Sequence, residues 1–563
     1  VASCLVLIVS FALFDGAGPL DAQAVTGTVR DEAGPVAGAT VRIQATTGET
    51  RTDGAGRFSL GGLTSGATVT VSAWKHGYYC AKVDAVVAPA DGLLLELRRY
   101  QTNDNPAYQW VPPTGPGSCA SCKAGVTQVW LDNDAHARSA VNQRFLTMYR
   151  GTDVAGNASP PTRYIYIQDY GRVPLPPDPT SPYFGPGYKL DFPATAGNCA
   201  ACHTPGDAIA SPYGTDPTAV PTENNLGGVH CDFCHKVADV RLDAATGLPA
   251  SNMPGVLSMD IRRPFPEDPH RYQLFFGTFD DDNVPEEDTA LPLLRESAYC
   301  APCHLAVFWD VTVYDSFGEW LRSPYSQAET GKTCQQCHMP APTLLAGHEI
   351  GNVAPGFGGV QRDPLTIHAH TFPGAASLDL LRNAVSLTAA ARVTGERLTV
   401  DVSVTNDRTG HHVPTDSPLR HMILLVEARD GLGRVLQQVE GPVVPTWGGV
   451  GDPADGYYAG LPGKAFAKVL EELWTGVSPT GAYWNHTRLV SDNRLEAFAT
   501  DRSAYIFAAP PAGQLLVRVT LLFRRAYKAL SDQKGWLDPD IEMGRQDIAL
   551  RPARVVRRRL GSR

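Results

Sequence analysis

The stretch Gly228-Val229-His230-Cys231-Asp232-Phe233-Cys234-His235-Lys236 carries two cysteines three positions apart with a histidine directly behind the second. The same pattern recurs at Cys199/Cys202 with His203, at Cys300/Cys303 with His304, and at Cys334/Cys337 with His338. A fifth pair, Cys119/Cys122, is followed by Lys123 instead. With 15 His among 563 residues, chance does not put one behind four pairs out of five. A zinc ribbon would use two such pairs per metal and has no need of a histidine after each. Two thiols at this spacing can each form a thioether with a haem vinyl group while the next imidazole reaches the iron. The reading is four haem c groups at minimum and five expected.

Lys123 stands apart. An amine ligates iron only when deprotonated, and a haem held this way often keeps its other face open to a substrate. Two alternatives stay open at this site: a different ligand for the iron, or a plain disulfide between Cys119 and Cys122. The other haems need second axial ligands, which histidine or methionine supplies. The best-placed candidates are His136, His270, His370 and His411, each in a turn-rich or short helical piece. His230 could ligate a neighbouring haem. His76, His421 and His486 read as ordinary histidines.

The rest of the chain divides around these motifs. Residues 1–24 read as a signal peptide, with an apolar run too short to span a bilayer and a small-x-small cleavage pattern at Ala22-Gln23-Ala24. That implies export, to the periplasm or to the cell surface and beyond, and no other stretch is long and apolar enough for a transmembrane span. Residues 25–100 alternate with period two between turns, which predicts a small β-sandwich. Residues 101–375 hold every motif and are rich in Pro and Gly, predicting an irregular, mainly α multihaem domain. Within it, Ala137, Val141, Phe145 and Met148 predict a helix over 135–149. Residues 376–563 return to alternation, as in Arg397–Val404 and Leu515–Leu522, predicting a C-terminal β-sandwich with a basic tail and with His411 in its first hairpin. The chain is thus multidomain, and its net charge of −10 excludes nucleic acid as a partner. Redox proteins or other cytochromes fit better, and a homo-oligomer or filament stays open.

Three resemblances add to this. Gly27–Asp31, Gly34–Val41 and Thr52–Phe58 resemble the hallmark of the carboxypeptidase regulatory-like domain, an accessory module without catalysis. Cys119–Ala137, the stretch around Cys231, Cys334–Pro340, His370–Gly374 and His411–Thr415 resemble blocks of the nitrifier tetrahaem cytochrome and hydroxylamine-oxidoreductase superfamily. That resemblance implies that His136 is a distal haem ligand. The placing of a CxxCK motif before four CxxCH motifs also resembles pentahaem cytochrome c nitrite reductase, whose lysine-ligated haem is the catalytic one. The segment Lys236–Val240 lacks that family's tyrosine, so only Lys123 carries over. The combined expectation is an electron relay. The alternative is an oxidoreductase acting on a small nitrogen or sulfur compound, of the nitrite or hydroxylamine type, with Lys123 as its catalytic residue.

Overall fold

The computed structural model describes residues 23–266, 273–281, 288–327, 329, 331–340 and 350–551. Residues 1–22 of the segment read as a signal peptide, His270 and all of the basic tail beyond Arg551 lie outside them, while Gln23 and Ala24 open a strand. The described residues form two compact units: those within 1–102, 264–291 and 358–360, and those within 103–263, 292–357 and 361–563. Among the described residues, no helix is long and apolar enough to cross a membrane.

In the first unit, strand Gln23–Asp31 runs antiparallel to Arg57–Leu63 and parallel to Ala90–Glu96. A second sheet orders Glu49–Arg51, Thr40–Ile43, Thr68–Trp74 and Ala81–Val87. Alternating residues of both sheets, including Val25, Val29, Val41, Phe58, Leu60, Val71 and Leu95, close one apolar core. The Thr52–Phe58 signature has a structural cause. Thr52 Oγ1 accepts from Ala39 N and donates to Val36 O, and Asp53 Oδ1 accepts from Ala55 N and Arg57 N. Gly27 is required by close approach, since a Cβ there would meet Leu93 O at 2.1 Å.

In the second unit the expectation of a mainly α central region gives way to a mixed one. Single helical turns alternate with two-stranded ladders such as Tyr164–Ile167 with Gly171–Pro174 and Ala306–Phe308 with Val311–Tyr314. The helix predicted over 135–149 is split. Asn142 adopts an extended backbone and its Oδ1 accepts from Arg144 N and Phe145 N, so it caps a new helix, Gln143–Arg150. A short 3-10 turn, His136–Arg138, precedes it.

The C-terminal part of this unit has a four-stranded sheet, Ser386–Thr394, Arg397–Thr405, Thr500–Ala508 and Gln438–Glu440. Beside it lies a five-stranded sheet, Thr487–Asp492, Gly463–Glu472, His421–Asp430, Leu515–Arg524 and Ile541–Leu550. Leu398, Val400 and Val402 of one sheet and Met422, Leu424, Val519 and Leu521 of the other share a core. His411 lies in the connection between the two sheets, residues 406–420, rather than in a hairpin, because the strands on either side of it belong to different sheets.

The C-terminal part, including helix Lys528–Lys534, meets the motif-bearing region through polar contacts. Lys534 is wholly buried and donates to the carbonyls of Thr147 at 3.1 Å, Thr152 at 3.0 Å and Pro186 at 2.5 Å. Trp484 Nε1 donates to Asp191 Oδ2 at 2.8 Å, and Lys468 Nζ donates to Thr312 O at 3.1 Å.

Candidate functional site

Each CxxC pair sits on or beside a helical turn, and a helix places residues three and four apart on one face. Helix Cys119–Asn133 starts from Ser118, which exchanges hydrogen bonds with Ser121, and its backbone breaks at Lys123, with φ −115° and ψ 43°. Helix Cys334–His338 starts from a capping box of Thr333 and Gln336. The single turn Cys231–Cys234 is capped by His230, whose Nδ1 accepts from Phe233 N at 3.2 Å. That bond uses the Nδ1 lone pair of His230 as a cap for the turn.

The five motifs converge. The Cys119 thiol lies against that of Cys231, Cys202 against Cys303, and Cys300 against Cys334. The Cys231 contact comes first in holding the Cys119 thiol below the ordinary thiol value, against the upward push of burial. Burial drives Cys199 and Cys234 up to about 12.

Three pairs of imidazoles face each other across the same unit. His136 and His304 have ring centroids 6.1 Å apart with planes at 87°, His235 and His370 are 6.3 Å apart at 34°, and His338 and His411 are 6.3 Å apart at 18°. An imidazole nitrogen sits about 2.0 Å from a bound metal, so two rings on opposite sides of one ion place their centroids about 6 Å apart. The orientation of the rings agrees. A carbonyl only accepts, so His338 Nδ1 donates to Pro373 O at 2.7 Å and His411 Nδ1 donates to His412 O at 2.8 Å. Each tautomer leaves Nε2 with its lone pair, as ligation requires. His136 Nδ1 is 2.9 Å from Asp134 Oδ1.

Burial pushes His338 and His203 down to about 4, so both rings are neutral at neutral pH. At His136 burial also pushes down, but the hydrogen bond and charge of Asp134, with Asp416 behind, outweigh it and the net direction is up. Opposed imidazole pairs beside paired thiols are a donor set that a haem iron takes. Among the described residues there is no cluster of three or more His, Cys, Asp or Glu that would hold a bare ion.

The sequence-predicted residues fall into three groups. The structure brings His136, His370 and His411 to His304, His235 and His338 respectively, so His136 meets the fourth motif although it follows the first in sequence. His203 stacks face to face on Phe145, with centroids 3.7 Å apart, and its buried Nδ1 has no hydrogen-bond partner among the described residues. Lys123 lies half-buried at the helix break. Sequence reasoning missed Asp134 and Asp416. The first was signalled by its position two residues before His136. It also missed Glu319, wholly buried, which meets Arg494 at 2.8 Å and accepts from His412 N and Thr415 Oγ1, fixing the loop that carries His411.

The carboxypeptidase regulatory-like domain family matches residues 24–97. The chain folds like a penta-haem cytochrome c552 from Thermochromatium tepidum, at a TM-score of 0.50 and 17% identity, over 77% of this chain and 97% of that one. A cohesin–X-dockerin complex from Acetivibrio cellulolyticus is similar over 14% of this chain and 58% of its own, at 23% identity and a TM-score of 0.13, too low to carry an argument. No curated protein matches the sequence.

Proposed function

We propose that this protein is an exported multihaem c-type cytochrome that relays electrons through haem c groups at its five CxxC motifs. The observation that carries this reading is the opposition of His136 to His304, His235 to His370 and His338 to His411 at 6.1–6.3 Å. The likeness in fold to a penta-haem cytochrome supports it.

Bound haem supplies one-electron chemistry at its iron. The chain's own residues do the rest. The ten cysteines attach the groups, His203, His235, His304 and His338 are the proximal ligands, and Lys123 takes that place at the first motif. His136, His370 and His411 are distal ligands, and His270 keeps that assignment from the sequence. The closeness of cysteines from different motifs places neighbouring attachment points side by side, as a relay needs. The two β modules, read as sandwiches at the N and C termini, dock redox partners or copies of the chain at the periplasmic or outer surface.

Intact mass of the purified holoprotein, together with its pyridine haemochrome spectrum, should show five haems. Cys119→Ser should lower the count by one. A mass equal to the bare polypeptide refutes the reading, and a count of four removes the Lys123 site. Low-spin haems inert to nitrite, cyanide and hydroxylamine fit the relay. A high-spin signal that binds any of these and disappears in Lys123→His would make the protein an oxidoreductase of the nitrite or hydroxylamine type.

A further inference from the structure

Two of the opposed imidazole pairs differ in what stands behind them. His338 and His411 both donate to backbone carbonyls, which are neutral. Behind His136 stands a carboxylate. Asp134 is 2% exposed, its Oδ1 lies 2.9 Å from His136 Nδ1 and also accepts from His136 N at 2.8 Å. Its Oδ2 is buried with no hydrogen-bond partner among the described residues. Little is left to spread that charge except the ring it touches. Across the pair, His304 Nδ1 lies 3.9 Å from Asp416 Oδ1, and Arg420 Nη1 stands 3.6 Å from the other oxygen of Asp416 and offsets part of its charge. The motifs concerned are neighbours, joined by the Cys300–Cys334 thiol contact.

We propose that Asp134, with a smaller share from Asp416, makes the iron held between His136 and His304 a lower-potential centre than the adjacent iron held between His338 and His411. A carboxylate at Nδ1–H pulls on that proton, makes the imidazole a stronger donor, and places negative charge beside the iron, all of which favour the ferric over the ferrous state. Carbonyl acceptors do this far less. Asp134 is a positioning and tuning residue here, not a ligand. The consequence is a built-in direction: an electron arriving at the Cys300/Cys303 site moves downhill to the Cys334/Cys337 site. This rests on the multihaem reading above and extends it to the energies of two named centres.

Asp134→Asn keeps an oxygen near His136 and removes the charge. In a spectroelectrochemical titration of the holoprotein, one midpoint should rise so that its ferrous-to-ferric ratio at fixed potential grows at least about tenfold, about 59 mV for a one-electron centre. The centre that moves is identified by the loss of its low-spin signal in His136→Ala. Asp416→Asn should move the same centre the same way by less, and it carries the test if Asp134→Asn fails to fold. The centre between His235 and His370 should move less, because Asp134 reaches His370 only through space. If no midpoint moves in either variant, or if the moving centre is the one lost in His411→Ala, the inference falls. A wild-type mass lacking haem at Cys300/Cys303 would instead overturn the multihaem reading itself.

Discussion

The ring planes of the three imidazole pairs make a spectroscopic prediction that depends on geometry alone. An axial imidazole raises the iron dπ orbital perpendicular to its own plane. Two parallel rings raise the same orbital and split the pair widely, whereas two perpendicular rings raise one each and leave them nearly degenerate. The splitting follows the cosine of the angle, so 18° at His338/His411 keeps about 0.95 of the coplanar maximum and 87° at His136/His304 keeps about 0.05. The pair His235/His370 at 34° keeps about 0.83. Low-temperature electron paramagnetic resonance of the oxidised holoprotein should therefore show two rhombic low-spin signals and one strongly anisotropic signal with a broad low-field feature. His411→Ala should remove a rhombic component and leave the anisotropic one intact, and His136→Ala should do the reverse. A spectrum of rhombic signals alone, or loss of the anisotropic feature in His411→Ala, refutes the pairing.

Lys534→Met leaves the carbonyls of Thr147, Thr152 and Pro186 without their shared donor. After the relief of unburying an ammonium it should cost about 3 kcal/mol in denaturant titrations, and an unchanged midpoint would show that those carbonyls find other partners. Arg494→Met strands the Glu319 carboxylate inside the protein and should cost about 3–5 kcal/mol, with Glu319→Gln added to it recovering part of the loss. If the double variant is as unstable as the sum of the singles, the two groups are not coupled. Burial pushes the Asp492 carboxyl up, but its two bonds to Arg494 outweigh that and hold it below the ordinary value. A depressed acid gives stability that is complete above its unfolded value of about 3.9 and is lost as pH falls through the lowered folded value. Acid melts below that point should be shallower in Asp492→Asn, and an identical acid profile refutes the coupling.

The parts of this molecule legible in its sequence are those encoded at short range. The CxxC pairs and the residue behind each are local chemistry, and the period-two runs at Arg397–Thr405 and Leu515–Arg524 form strands because one face of each is buried. The hallmark around Thr52 and Asp53 is legible because a turn fixes its residue types in place. The helix across 135–149 was misread because apolar spacing carries no information about a cap. Asn142 offers two backbone N–H groups an acceptor, and that outweighs the continuity suggested by Ala137 and Val141, the latter of which is 47% exposed. The sequence left open which motif His136 would face, and folding carries it to the fourth.

What no pattern could reveal is charge acting through space. Asp134 and Asp416 are 282 positions apart in sequence by their numbering, and they stand behind His136 and His304, on opposite sides of one candidate iron site. Asp416 belongs to no CxxC motif, and Asp134, though inside the Cys119–Ala137 block, would pass for a turn residue. The motif fixes which iron is held and by what atom, but the energy of that iron depends on the groups behind the ligands. For an electron relay those energies decide direction. In the proposed relay the cysteine pairs would name the cofactor, while the direction of conduction would be set by two aspartates that only the fold brings together.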